Sequence, residues 1–187
     1  MATERRRPRA PNRFKNLVHY ICWKCQDPTK LGATKLNKVL WLSDAHAFMV
    51  VGQPITEAKY VKQQFGPVPG AILPTLRELQ REAKIAVRDV EYFGRPKREF
   101  FALQRPDISM FTADDISLVD AAIDFVCENH TAASISEATH TEIWKLAEIG
   151  EEMPLRAVLA ANLAEITDAD VRWAEQQRGR KRQQSTK

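Results

Sequence analysis

The residues able to do chemistry are few. Cys22-Trp23-Lys24-Cys25 is a CxxC, and a third cysteine, Cys127, stands far along the chain. Zinc takes four ligands as a rule, and no second Cys or His pair sits at short spacing from this one. A redox CxxC needs the N-terminus of a helix, where the dipole lowers a thiol pKa. Here the pair falls at the end of an amphipathic stretch, on its apolar side, which predicts two core thiols at i, i+3. The histidines are His19, His46, His130 and His140. No nucleophile elbow, HExxH or glycine-rich phosphate loop accompanies them. In Ser43-Asp44-Ala45-His46 the acid and the imidazole are two apart in a helical stretch and face different sides. His140 reads as a group that fixes a local turn by hydrogen bonding. The sequence therefore predicts no catalytic residue, no cofactor and no metal site.

A second class of residues could recognise a partner rather than transform one. Tyr60-Val61-Lys62-Gln63-Gln64-Phe65 is a short extended run, followed by a hard turn at Gly66-Pro67-Val68-Pro69. Prolines fix φ and remove donors, so this punctuation is rigid. Two readings stand. Either the turn only aims the helix behind it, or it presents Tyr60, Lys62, Gln64 and Phe65 to a partner, aromatics on a stiff frame being good anchors. Further on, Arg95, Lys97 and Arg98 crowd a Gly/Pro turn, where they are either solvated charges or a basic tip that rests on phosphate.

Positioning these residues requires helices on either side of a hairpin. Phe14, Leu17, Val18, Ile21, Cys22 and Cys25 share one helical face, with Asn12 as N-cap and Asp27-Pro28 as the stop. A loop is expected over 26–33. Leu36, Val39, Leu40, Ser43, Ala47 and Val50 recur at i, i+3, i+4, i+7, and Gly52 and Pro54 end that helix. The helix near 70–83 buries Ile72, Leu76, Leu79 and Ala83, with Pro74 tolerable only in the first turn. Ile85, Val87, Val90 and Tyr92, then Phe100, Phe101 and Leu103, flank Gly94-Arg95-Pro96-Lys97 and predict a β-hairpin. Helical periodicity returns after Thr112, whose Asp115 completes a capping box, with Ile116, Val119, Ile123, Val126 and Cys127 as the buried stripe. Ser134 and Glu137 suggest another box. Short helices are expected at Trp144 and Leu146, from Pro154 with Leu155, Val158 and Leu159, and from Thr167 with Val171 and Trp173.

Bulk properties set the class. The 187 residues, 44% hydrophobic and 28% charged, suit one globular domain with a real core. No apolar run approaches the ~18–20 residues that cross a bilayer, so no membrane role is expected. The arginines near the start have no apolar stretch behind them, which argues against a secretory signal. An odd, low cysteine count argues for a reducing compartment, and the cytoplasm is the expected location. The net charge of +4 is concentrated at the ends, in Arg5, Arg6, Arg7, Arg9, Arg13 and Lys15 and in Arg178, Arg180, Lys181, Arg182 and Lys187, leaving the middle mildly acidic. Such basic tails are either solubilising ends or weak nucleic-acid contacts.

Taken together, the order helix, Gly52-Gln53-Pro54-Ile55-Thr56, Lys59-to-Pro69, helix over residues 34–83 resembles the Panacea domain, a family of small bacterial and phage antitoxins. Ala138-Thr139-His140 followed by Trp144 resembles that family's turn-and-tryptophan feature. The reading is a mainly α (α+β) fold, a single helical domain with a central β-hairpin over 13–176; the basic tails at 1–12 and 177–187, expected to be disordered from their composition, are a departure that the family's motif core does not require. The resemblance implies an antitoxin that binds a co-encoded protein toxin directly, or delivers it to a protease as an adaptor, with no chemistry of its own. The alternative is a winged-helix-like DNA-binding regulator using the helix at 70–83 and the hairpin. That helix carries Arg77, Arg81 and Lys84 against Glu78 and Glu82.

Overall fold

A computed structural model describes residues 12–140, 144–145 and 147–160 of the chain. Helix α1 (Arg13–Lys24) starts where the Asn12 side chain accepts from the Lys15 amide, and it buries Phe14, Leu17, Val18, Ile21 and Cys22 on the expected face. Asp27-Pro28 does not close it. Asp27 is instead the N-cap of α2 (Pro28–Val51), accepting from the Thr29 amide, with Pro28 in the first turn, where its missing N–H costs nothing. The loop expected over 26–33 is thus mostly helical, broken at Gly32, whose φ of 65° and ψ of 162° kink α2. Gly52 caps the far end in the left-handed conformation, as its position suggests.

Strands β1 (Tyr60–Gln63) and β2 (Gly66–Pro69) pair antiparallel with Tyr60 opposite Pro69 and Gln63 opposite Gly66. The turn is therefore Gln64-Phe65, and Gly66-Pro67-Val68-Pro69, expected as a hard turn, is a strand. Its prolines are tolerated because β2 is the edge of its sheet, with no second strand asking for their amide hydrogens. Helix α3 (Ile72–Arg81) keeps Pro74 in its first turn and buries Ile72, Leu76 and Leu79. Ala83 lies past its end, exposed, at φ 52°. Strands β3 (Ile85–Tyr92) and β4 (Arg95–Ala102) form the expected hairpin as a separate two-stranded sheet.

Helix α4 (Ala113–Glu128) opens on the Thr112/Asp115 capping box. Helix α5 (Ala132–Ala138) also opens on a box, but the pair is Thr131 and Ser134, three residues ahead of the expected one. Trp144 and Lys145 are helical, and Leu146 lies outside the described residues. Strand β5 (Glu152–Met153) pairs with β1, opposite Tyr60 and Val61, so the first sheet runs β2-β1-β5. Helix α6 (Ala157–Ala160) starts later than Pro154 because that proline follows directly on β5. The helix expected from Thr167 and both basic tails lie outside the described residues. The fold is α+β and mainly helical, as expected.

Helix α2 is the hub, packing against α1, α4, α5, β2 and β4. This breadth explains why Lys38, Trp41 and Asp44 are buried along with Leu36, Val39, Leu40 and Ala47, whereas Val50 near the end is 63% exposed rather than part of the buried stripe. Polar ties orient the helices around it. Arg13 donates to the carbonyls of Ile55 (2.8 Å) and Met110 and to Asp115 (3.1 Å). Lys15 reaches Glu78 and Glu82 on or beside α3 (3.1 and 2.8 Å). Tyr20 donates to Asp120 of α4 (2.7 Å). Arg13 and Lys15, counted with the basic N-terminal run, are thereby committed to the fold. No helix among the described residues is long and apolar enough to cross a membrane.

The kink at Gly32 gives the first prediction. A Cβ there would meet only ordinary contacts, with Lys97 Cε at 3.6 Å and the Arg98 carbonyl at 3.8 Å, so space is not the constraint. Its backbone conformation belongs to glycine alone and costs other residues ~1–3 kcal/mol. Gly32→Ala should lower the unfolding free energy by that amount, read as a lower urea midpoint at an unchanged m-value. A variant as stable as the wild type would show that α2 straightens freely.

Candidate partner-binding surface

Two buried polar groups on α2 fix the β1–β2 hairpin. The Asp44 carboxylate, fully buried, accepts from the Thr56 amide (2.7 Å), the Thr56 hydroxyl (2.5 Å) and the Tyr60 hydroxyl (2.8 Å). Burial raises its pKa, and these hydrogen bonds oppose the rise. Tyr60 also meets Trp41 edge-on, with ring centroids 5.0 Å apart. Two helical turns earlier, Lys38 is 1% exposed and donates to Thr139 Oγ1 at 2.6 Å. Burial pulls its pKa down to about 8. Gly66 lies against it so closely that a Cβ would stand 1.7 Å from Lys38 Nζ, and its φ of 114° independently demands glycine.

The segment after α5 is held from the same strands. Lys62 Nζ donates to the Ala147 carbonyl (2.9 Å) and sits 4.0 Å from the centre of the Trp144 ring. His140 stacks on Trp144, ring centroids 3.6 Å apart and planes nearly parallel. Burial and the charges of Lys38 and Lys62 hold the His140 pKa below its usual value. His140 is thus a packed turn residue, with its ring stacking as well as its backbone fixing the turn: its amide donates to the Glu137 carbonyl at 3.1 Å.

These placements sort the expected contact residues. Tyr60, 1% exposed, and Lys62, 8% exposed, are inside the fold, so the expectation that they are presented on the surface is corrected. The reason is that β1 is the middle strand between β2 and β5, with Tyr60 turned onto Asp44 and Trp41 of α2, not a free extended run. Gln64 and Phe65 occupy the turn and are exposed. On the second hairpin, Arg95 and Arg98 are exposed and Lys97 is half-buried. Glu99 takes both Arg88 (2.8 Å) and Lys97 (3.3 Å), Asp89 takes Arg98 (2.9 Å), and Lys97 also donates to the Thr29 carbonyl at the start of α2. The tip's cations are therefore largely neutralised within the hairpin, which leaves little for a phosphate backbone to attract.

The thiols are free and buried. Cys22 rises to about 12 through burial, as inert core thiols do. Cys127, expected on a separate stripe, interacts with Cys25 across α1 and α4: the contact lowers the Cys25 thiol and raises that of Cys127. Sequence reasoning missed Asp44 and Lys38. A signal for Asp44 existed, since it stands at i+4 from Leu40 and i−3 from Ala47, on the apolar stripe itself.

Residues 36–145 match the family described as antitoxin SocA-like, Panacea domain. The chain belongs to that family. The matched span runs from α2 through the helical residue Trp144, and it contains Lys38, Asp44, Gly66 and Thr139, together with the sheet elements they secure up to β4. No curated protein and no solved structure gives a significant match.

Two predictions follow from the buried pair on α2. Asp44→Ala leaves three donors without an acceptor and should destabilise the domain by ~3–5 kcal/mol. Lys38 has a lowered folded-state pKa, so between about 8 and the ordinary lysine value the unfolded chain binds more protons than the folded one. Its unfavourable contribution is therefore present below pH 8 and fades as pH rises through that window. The stability of wild type relative to Lys38→Met should rise from pH 7.5 to pH 10. A flat difference would show that Lys38 is solvated.

Proposed function

We propose that this chain is an antitoxin that neutralises a co-encoded protein toxin by direct, non-catalytic binding in the cytoplasm, through one domain spanning about residues 13–176. The observation that carries the reading is the match of residues 36–145 to an antitoxin family. The physical organisation agrees with it. Among the described residues there is no group of three or more His, Cys, Asp or Glu side chains placed to hold a metal, and the buried polar side chains Asp44, Lys38 and Lys62 are spent on holding the fold. Delivery of the toxin to a protease remains a second way for the same binding to neutralise. Of the contacts first expected, Gln64, Phe65, Arg95 and Arg98 remain available, at the turns of the two hairpins. The winged-helix alternative is weakened by the internal pairing of the hairpin's cations.

Co-expression with the product of the adjacent reading frame tests this. The chain should restore growth and co-elute with that product on gel filtration, burying roughly 1,200–2,000 Å². No rescue and no complex would refute the antitoxin reading.

A further inference from the structure

The turn of the β3–β4 hairpin is built from the wrong residue for its geometry. Tyr92 and Arg95 close a two-residue turn made of Phe93 and Gly94. Both turn residues have positive φ, 49° and 70°. Turns of this hand favour Asn-Gly, Asp-Gly or Gly-Gly, because most side chains resist the left-handed region. A bulky aromatic there is an outlier. Phe93 gains nothing from burial in return: at 88% it is the most exposed large apolar side chain among the described residues. Its one ring contact is edge-on with Tyr92, centroids 4.6 Å apart, and Tyr92 is itself 58% exposed. The fold thus carries backbone strain and exposed aromatic surface at one point, with no return to its own stability.

The hairpin behind that point is tied down. Lys97 lies 5.1 Å from the Tyr92 ring centre and donates to the Thr29 carbonyl, which ties the hairpin to the start of α2. A rigid aromatic loses little freedom on being buried by a partner. The surrounding charge decides which partner. Arg88 and Lys97 share Glu99, Arg98 pairs with Asp89, and Arg95 and Glu91 add one charge of each sign beside the turn. The tip is an apolar knob inside a collar of four cations and three carboxylates, with Arg88, Lys97 and Arg98 paired within the hairpin. It suits an apolar pocket on a protein and offers no cationic track for nucleic acid.

We propose that Phe93, backed by Tyr92, is the anchor by which this chain grips its toxin, inserting into an apolar pocket on that protein. This rests on the antitoxin reading above and names the surface it uses. Phe93→Asn tests it, because Asn-Gly is a preferred pair for this turn and the substitution removes no buried contact. Melting temperature and affinity for the purified product of the adjacent reading frame are measured side by side for wild type, Phe93→Asn and Phe65→Ala. The expected result is a melting temperature equal to or above wild type for Phe93→Asn, with Kd weakened about tenfold or more, and a smaller loss for Phe65→Ala. A Phe93→Asn protein that binds like wild type overturns the proposal while leaving the antitoxin reading standing. So does one that melts several degrees lower, since Phe93 would then serve the fold. So does a loss greater for Phe65→Ala than for Phe93→Asn. If wild type forms no complex, the antitoxin reading itself fails. A duplex carrying the upstream promoter is the last arm: binding to it that Phe93→Asn weakens would make the tip a DNA wing and overturn the protein-pocket assignment.

Discussion

A carboxylate with no exposure to water is stable only if the protein supplies the hydrogen bonds that water no longer can. Asp44 is that group here. Its three donors come from Thr56 and Tyr60, so satisfying it draws in the connection that follows α2 and fixes the first residue of β1. Tyr60 then closes on Trp41. Once β1 is seated, β2 and β5 pair on either side of it. Lys38 secures the same sheet from its other end, under Gly66 and against Thr139. A single face of α2 therefore dictates where the sheet lies and where α5 stops. Both groups are costly to bury, and removing the hydrogen-bond partners of either would leave a buried charge unsatisfied, which makes the arrangement specific.

The same helix also carries the two hairpin turns proposed above as contacts. The Gln64-Phe65 turn projects from a hairpin held to α2 at Tyr60, which donates to Asp44, and at Gly66, which lies against Lys38. The Phe93-Gly94 turn projects from a hairpin tied to the start of α2 through Lys97. Glu99, 4% exposed, holds Arg88 and Lys97 together midway along that hairpin. Both hairpins rest on this one helix, through β2 and β4.

Much of this was readable from residue pattern, and the misses have physical causes. The α1 face, the Thr112 cap, the position of Pro74 in α3 and the β3–β4 hairpin follow from periodicities and turn chemistry that act locally. Asp27-Pro28 misled because Asp-Pro serves equally as a stop for one helix and as N-cap and first residue of the next. Gly66-Pro67-Val68-Pro69 misled because proline marks turns and edge strands alike. Tyr60 and Lys62 were expected outside because an extended polar run looks exposed until strands are found on both sides of it. Lys38 and Asp44 escaped notice for the deepest reason: a charged residue in a helix defaults to solvent, and only the tertiary partner, 12 to 101 positions away, reverses that.

The claim that Asp44 locks the sheet to α2 is tested most directly by native-state hydrogen exchange at the Thr56 amide, which donates to it. If the account holds, that amide and those of β1 exchange only through global unfolding, with the same free energy as the Val39 and Leu40 amides in the middle of α2. Exchange of Thr56 and β1 at a free energy several kcal/mol lower than α2 would show that the sheet opens on its own, and would contradict it.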